Sequence, residues 1–338
     1  MKAEVLATDA ALHALGPDWE ALWRRAATGA TPFQSPAWLL PWWRAFGTGR
    51  PRAAALRDEG GRLLGLLPLY LLDEGRETKL LPVGIGVSDY CDALLDPDAP
   101  PDATARLLAA ALDASPEATS CDLTDLPPGA ALRDAPAPPG WRDGGAQPSG
   151  PCPVLELPPG AGLAEVLSRR RRAGLRNARN RAERAGGVAV ETATANTLPA
   201  CFDALAALHR ARWDARGEPG GVLADPRVLA LHREAAPDLL AQGALRLQVL
   251  HLGGVPAAAH YALLGGGRVL LYLSGFNAAR AHESPGAILL GDLIEWALAG
   301  GWRELHFLRG DEDYKYAWGA VDRLNAARRL LPVRGGTA

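Results

Sequence analysis

An apolar segment ending at Leu308 is followed at once by Arg309, Asp311, Glu312, Asp313, Tyr314, Lys315 and Tyr316, and then by Trp318. Such a run at the end of a strand suits group-transfer chemistry. Asp311 or Glu312 could take a proton from an attacking amine, and Tyr314 or Tyr316 could give one to a departing thiolate. Lys315 could hold a phosphate or carboxylate as a point charge. Lysine occurs only at positions 2, 79 and 315, so its presence inside a motif is informative. A solvated turn, with Arg309 and Lys315 paired to the acids, accounts for the same residues.

A second constellation lies upstream. Ser274-Gly275-Phe276 ends a strand pattern, and Arg280-Ala-His-Glu-Ser-Pro-Gly-Ala287 leads into a helix. A helix N-terminus presents unpaired N–H groups and the positive end of a dipole to an anion. Ser284 can cap, Pro285 suits the first turn, and Gly286 allows close approach to the backbone. Ordinary helix-start chemistry explains these residues equally well. His260 sits mid-strand among apolar residues, where a hydrogen-bonded core role competes with that of a base.

Eight arginines, Arg169, Arg170, Arg171, Arg172, Arg176, Arg179, Arg181 and Arg184, crowd one helix with only Glu165 and Glu183 nearby. The spacing of Arg169, Arg172, Arg176 and Arg179 places them near one face. That face suits a polyanion, such as tRNA, a nucleotide-linked sugar or a coenzyme's phosphates, and equally suits solvent. No aromatic residues are interleaved, so base stacking has no support.

The elements that must position these groups follow from pattern. Helices are expected over 17–27 and from Ser35-Pro36 onward, the latter crowded by Trp38, Trp42 and Trp43 as an aromatic anchor between domains. Residues 53–71 read as a β-hairpin, followed by a glycine-rich loop, a helix near 102–113 and a strand near 121–126. The Pro/Gly-rich stretch 127–162 marks a boundary, with lobes at 1–150 and 151–338. Beyond it come the basic helix at 163–185, another helix through 197–217, three strands over 244–276, the helix after Ser284 and a strand at 303–308. Each half runs β-meander, loop, helix, strand, a weak internal repeat. The fold class is α/β (α+β), with two tandem lobes, each a mixed sheet flanked by helices.

Bulk composition excludes several classes. Hydrophobic content of 48% with 22% charged residues is globular, and a net charge of -2 gives no global attraction to nucleic acid or anionic membrane. No apolar run is long enough for a membrane span. The four cysteines show neither metal-ligand spacing nor a disulfide framework, which suits a cytoplasmic protein without metal.

Residues 31–47, 87–95, 208–228 and 274–287, together with 307–320, resemble the CelD/BcsL group of GNAT acetyltransferases, a bacterial group associated with cellulose biosynthesis and related to FemAB-type transferases. The likeness spans nearly the whole chain, and 307–320 is its most specific part. It implies two GNAT-like lobes, with acetyl-CoA or another acyl-CoA as donor in the C-terminal lobe. In GNAT enzymes the strand–loop–helix position holds the coenzyme pyrophosphate, which assigns Ser274, Gly275, Phe276, Arg280, Ser284, Pro285, Gly286 and Ala287 to the cofactor. Of the usual Gln/Arg-x-x-Gly-x-Gly/Ala pattern, only the final Gly-Ala is preserved. Asp311, Glu312, Tyr314, Lys315, Tyr316 and His260 are the candidate catalytic groups. Ser88, Asp89, Tyr90, Trp213, Arg216, Arg309 and Trp318 are the candidates for the acceptor, a small molecule, sugar or envelope precursor bound on the side of the N-terminal lobe. The expected reaction is direct N-acyl transfer. Aminoacyl-tRNA as donor, as in FemAB relatives, and a catalytically degenerate scaffold in polysaccharide biosynthesis are the alternatives.

Overall fold

The computed structural model of the protein describes residues 2–215 and 217–333. Its contacts divide the chain into two units, Met1–Gly150 with Arg323–Ala338, and Pro151–Asp322. The terminal strand Val321–Pro332 returns to the first unit, where Ala326 and Leu330 enter the core. The sequence leaves that return unmarked, because nothing in a strand's own pattern names the sheet it joins.

The first unit starts with a strand ahead of the expected helices: β1 (Lys2–Leu6). Helices α1 (Gly16–Arg25) and α2 (Pro36–Phe46) follow. Ser35 accepts from the Trp38 amide to start α2, and Pro36 occupies its first turn. Trp38, Trp42 and Trp43 are all buried, as packing residues should be. Next come β2 (Ala53–Arg57), β3 (Leu63–Leu67), β4 (Leu69–Asp73) and β5 (Thr78–Pro82). β1, β2 and β3 form one antiparallel ladder, while β4 and β5 pair in another sheet. The expected hairpin is therefore cut at Pro68, which cannot donate to a ladder. Helix α3 (Ala103–Asp113) then connects β5 to β6 (Ser120–Leu126), which lies parallel to it.

The second unit begins in the stretch expected to be a linker. β7 (Gln147–Glu156) contains three prolines and still pairs, because its prolines serve as acceptors: the Pro151 and Pro153 carbonyls take the amides of Gly310 and Phe307. The basic segment is two helices, Leu163–Val166 and α4 (Arg169–Arg184), separated where Ser168 accepts from the Arg171 amide. β8 (Val188–Thr192), α5 (Leu198–Asp214) and α6 (Pro226–Ala241) lead to the meander β9 (Leu245–Leu252), β10 (Val255–Gly265) and β11 (Arg268–Phe276). α7 (Pro285–Ala299) crosses to β12 (Glu304–His306). The strand order in this unit is β8-β9-β10-β11-β12-β7, antiparallel throughout except for β11 beside β12.

Both units thus contain a parallel pair bridged by one helix, β5–α3–β6 and β11–α7–β12. The repeat of element order expected from sequence has this physical form. In α7, Ile288, Leu289, Leu290, Leu293, Ile294 and Ala297 are buried, which gives the crossover its hold on the sheet. The fold is mixed α/β, with sheets flanked by helices and one helix-bridged parallel pair in each unit.

Candidate functional site

β11 pairs with β12 only over Arg268–Leu270, so its last residues, Leu271–Phe276, run on without that neighbour. A cavity of about 370 Å³ lies beside this separated stretch, wholly within the second unit. A register shift between β10 and β11 at Tyr261/Ala262 shapes its floor. Leu271 and Ser274 are three apart and would face opposite sides of a regular strand. The extra residue puts both on the cavity wall, with Phe276 and the Gly275 backbone, opposite His260 of β10.

Gly275 is required by packing: a Cβ there would lie 2.4 Å from the His209 amide nitrogen and 2.6 Å from the Leu208 carbonyl carbon of α5. Gly286 is different, since its Cβ would meet only Phe276 at 3.9 Å. The openness at the helix start is therefore available to a ligand. Pro285, Gly286, Ala287 and Leu290 of α7 form one wall of the cavity with Ala281 and Ser284.

The helix start is built otherwise than expected. Ser284 is left-handed (φ 57, ψ 49) and makes no side-chain cap; its carbonyl accepts from Ala287 and Ile288 at 3.0 and 3.1 Å. Asn277 caps the preceding 3-10 turn by accepting from Ala279 at 3.0 Å. Arg280 does not border the cavity. Its guanidinium donates to both Glu283 oxygens at 2.6 and 2.7 Å and to the Leu252 carbonyl at 2.6 Å, so it braces the turn. The Arg280 hydrogen bond also holds the Glu283 carboxyl below its ordinary range.

Of the run 309–318, only Tyr314 and Trp318 border the cavity. Tyr314 stands edge-on to Phe307, with centroids 6.0 Å apart and planes at 83°. Lys315 cannot receive a phosphate. It is 2% exposed, and its ammonium donates to the carbonyls of Leu308, Arg309 and Gly310 at 3.2, 2.7 and 3.1 Å, with Glu312 at 2.8 Å. Burial raises the Glu312 pKa, and the Lys315 hydrogen bond and charge outweigh it to leave a net lowering. Asp311 is exposed, and Tyr316 donates to Asp322 at 2.8 Å, which pushes its phenol up to about 12. Arg309 is exposed.

His260 is 4% exposed, and its Nδ1 has no hydrogen-bond partner. Burial, with the nearby Arg212 charge, pushes its pKa down to about 3, so the ring is neutral at physiological pH. Two cations complete the site, Arg171 from the basic helix and Arg212, which sequence reasoning did not single out. Arg171 of α4 lies 4.9 Å over the Trp318 ring and donates to the Ala317 carbonyl at 3.0 Å. Arg212 of α5 donates to Ser274 Oγ at 2.7 Å, with its guanidinium 5.5 Å from the Phe276 centroid and 5.8 Å from that of Trp213. The available signal was helical spacing: Arg212 lies one turn beyond His209, whose Nδ1 is 3.0 Å from the Ser274 carbonyl oxygen.

The remaining acceptor candidates sit elsewhere. Trp213 packs on His209 at 5.9 Å and does not border the cavity. In the first unit, Ser88 accepts from the Trp38 indole at 3.0 Å, the Asp89 carbonyl accepts from Asn325 at 3.0 Å, and Tyr90 packs edge-on to Phe33. Arg216 lies outside the described residues.

Residues 169–316 match the model of the acetyltransferase (GNAT) domain, and they carry most of the cavity wall. No curated protein matches the chain. Among solved structures, FemX is similar at 12% identity over 98% of each chain, with a TM-score of 0.68. L-PGS from Bacillus licheniformis is similar at 14% identity over 95% of this chain and 93% of that one, TM-score 0.58. The C-terminal domain of a putative lysylphosphatidylglycerol synthetase from Agrobacterium fabrum shares 14% identity over 93% and 92%, TM-score 0.57. At these identities the likeness is one of fold.

Proposed function

We propose that the protein is an acyl-CoA-dependent N-acyltransferase that binds its donor in the cavity between β11 and the start of α7. One observation carries this reading: the cavity opens where the parallel pair β11/β12 separates, against an unobstructed helix start at Gly286, inside the segment that matches the GNAT domain. The donor's pyrophosphate would lie along 284–287, with Arg171 bordering the same cavity, and the thioester would lie toward Tyr314.

An acceptor amine attacks the thioester carbonyl, the carbon–sulfur bond breaks, and the sulfur leaves as thiolate. Tyr314 gives its phenolic proton to that sulfur and recovers one from the ammonium of the new amide. The products are the acylated amine and the free thiol of CoA. His260, neutral and sealed in, shapes the floor and is not assigned the base role. Lys315 and Glu312 hold the turn that presents Tyr314. The acceptor is an amine on a small molecule, sugar or envelope precursor, the class suggested by the resemblance to the CelD/BcsL group. No helix among the described residues is long and apolar enough to cross a membrane, and the four cysteines are free and buried, which suits action in the cytoplasm.

A second reading has its own observation. Arg169, Arg170, Arg176, Arg181 and Arg184 are all exposed and span an arc of about 140° on α4, opposite buried Leu175, Ala178 and Ala182. Such a face would serve an aminoacyl-tRNA donor. Calorimetric titration with acetyl-CoA and with bulk tRNA separates the two. Saturable acetyl-CoA binding without salt-sensitive tRNA binding is expected; tRNA binding alone would replace the leading reading.

A further inference from the structure

The exposed arginine face of α4 starts at the mouth of the cavity. Leu175 packs on Gly291 of α7, where a Cβ would lie 2.5 Å from the leucine Cδ2, and one turn further on Arg179 pairs with Glu295. The two contacts share one sequence offset, so α4 and α7 run parallel. One turn back, the same offset sets Arg171 beside Ala287, and both of these residues border the cavity. From that end Arg169, Arg170, Arg176, Arg181 and Arg184 extend along about 22 Å of helix. Arg179, on the flank toward α7, is tied to Glu295, whereas these five exposed arginines make no ion pair among the described residues. Exposed Asn177 and Asn180 lie between them, and Glu183, the only acid of α4, falls just outside their arc. The whole chain carries a net charge of -2, so this stripe is a local concentration of charge and not part of a general basicity.

We propose that this face docks an acidic carrier protein, which delivers its acyl group, as a thioester on a phosphopantetheine arm, into the same cavity that takes acyl-CoA. The proposal rests on the acyl-transfer reading for the identity of the cavity. Both donors present the same arm there and differ in what lies outside. The coenzyme's phosphates are clustered on one small nucleotide, which leaves most of a stripe this long without a partner. Acids ranged along a helix of a docked protein complement it over its whole length. An RNA limb fits less well, because its recognition as a single strand draws on stacking. Trp318, the ring at the start of the stripe, is 4% exposed with Arg171 over its face, so it has no surface to offer a base. The chemistry is unchanged: the amine attacks the thioester carbonyl, the carbon–sulfur bond breaks, and the carrier's phosphopantetheine sulfur leaves as thiolate and takes the Tyr314 proton. The products are the acylated amine and the carrier with a free thiol.

The test is calorimetric titration of the full chain with four probes: a bacterial acyl carrier protein bearing acetyl-phosphopantetheine, the same carrier without the arm, acetyl-CoA, and bulk tRNA. The acetylated carrier is expected to bind about tenfold or more tighter than the armless form, because the arm and the acidic surface engage together. Its affinity is expected to fall as salt is raised. Combining Arg176→Glu, Arg181→Glu and Arg184→Glu, all away from the cavity, is expected to weaken carrier binding by about tenfold or more. Acetyl-CoA affinity and the melting temperature should stay at their wild-type values, which shows that the variant is folded. Absence of carrier binding, equal binding of its two forms, or binding indifferent to the triple reversal would overturn the proposal, while normal acetyl-CoA binding kept the acyl-transfer reading in place. Binding of tRNA that the reversal abolishes, with the carrier ignored, would assign the face to RNA and overturn it equally. Failure of acetyl-CoA and the acetylated carrier alike to bind would remove the acyl-transfer reading itself.

Discussion

Lys315 provides the sharpest separation between a structural and a chemical role. Its ammonium is almost fully enclosed and bonded to three successive carbonyls and Glu312, around a turn in which Leu308 is left-handed (φ 60) and Gly310 also has positive φ. A leucine in that region costs on the order of 1–2 kcal/mol, which the surrounding contacts must offset. Lys315→Met keeps the aliphatic stem, strands the carbonyls and leaves Glu312 without its partner. Breaking a buried charged pair costs about 3–5 kcal/mol, and Glu312, with 42% of its side chain exposed, can recover part of its hydration. The expected loss is therefore about 3 kcal/mol, or roughly 6–12 °C in the melting temperature of a domain this size. Glu312→Gln should cost less than about 1 kcal/mol, because the carbonyls keep their donor. Urea unfolding monitored by tryptophan fluorescence gives both numbers. If Lys315→Met unfolds at the wild-type midpoint yet abolishes donor binding, the lysine is a phosphate ligand and the structural argument is wrong.

Other perturbations follow from the same geometry. Gly275→Ala drives a Cβ into the α5 backbone and should destabilise by at least ~2 kcal/mol, whereas Gly286→Ala should stay within about 0.5 kcal/mol; equal melting temperatures for the two would refute the packing assignment. Tyr314→Phe is expected to lower turnover about 10²–10⁴-fold with donor affinity unchanged, while Tyr316→Phe, already engaged by Asp322, should remain near wild type. His232 and His260 are both pushed by burial down to about 3, below their unfolded value of 6.5. The unfolded chain then binds more protons between those values, so stability falls as pH drops below about 6.5, by about 1.4 kcal/mol per pH unit for each ring. Asp92 acts in the opposite sense, since burial raises its carboxyl to about 6 and the folded state holds its proton. His232→Leu should flatten the net slope between pH 6.5 and 5; an unchanged slope would mean that the ring takes up its proton in the folded state.

Much of the framework was legible because it rests on local rules. The apolar stripe of α7, the meander β9–β11 and the element order repeated in both halves all survive as read. The failures have identifiable causes. β7 was hidden by its prolines, which argue against a strand until their carbonyls are seen to be the groups that pair. β1 and Val321–Pro332 are short of distinguishing signals, and their places depend on partners far away in sequence. Within the site, pattern located the loop and helix start at 274–287 and the run at 309–318. It could not tell which side chains of that run turn inward. Residue type gave Asp311 or Glu312, Tyr314 or Tyr316 and Lys315 each a chemical role, yet of that run Tyr314 and Trp318 border the cavity and Lys315 is spent on carbonyls. Arg212 escaped notice because its importance depends on reaching Ser274, 62 residues away, across a fold that spacing does not display.

The proposed donor site is tested most directly by a crystal structure with CoA bound. The expected result places the pyrophosphate against the backbone of residues 284–287 and the thiol near the Tyr314 hydroxyl, with the pantetheine chain beside the free stretch of β11. Coenzyme found at another surface, or a cavity left vacant at saturating CoA, would contradict the account.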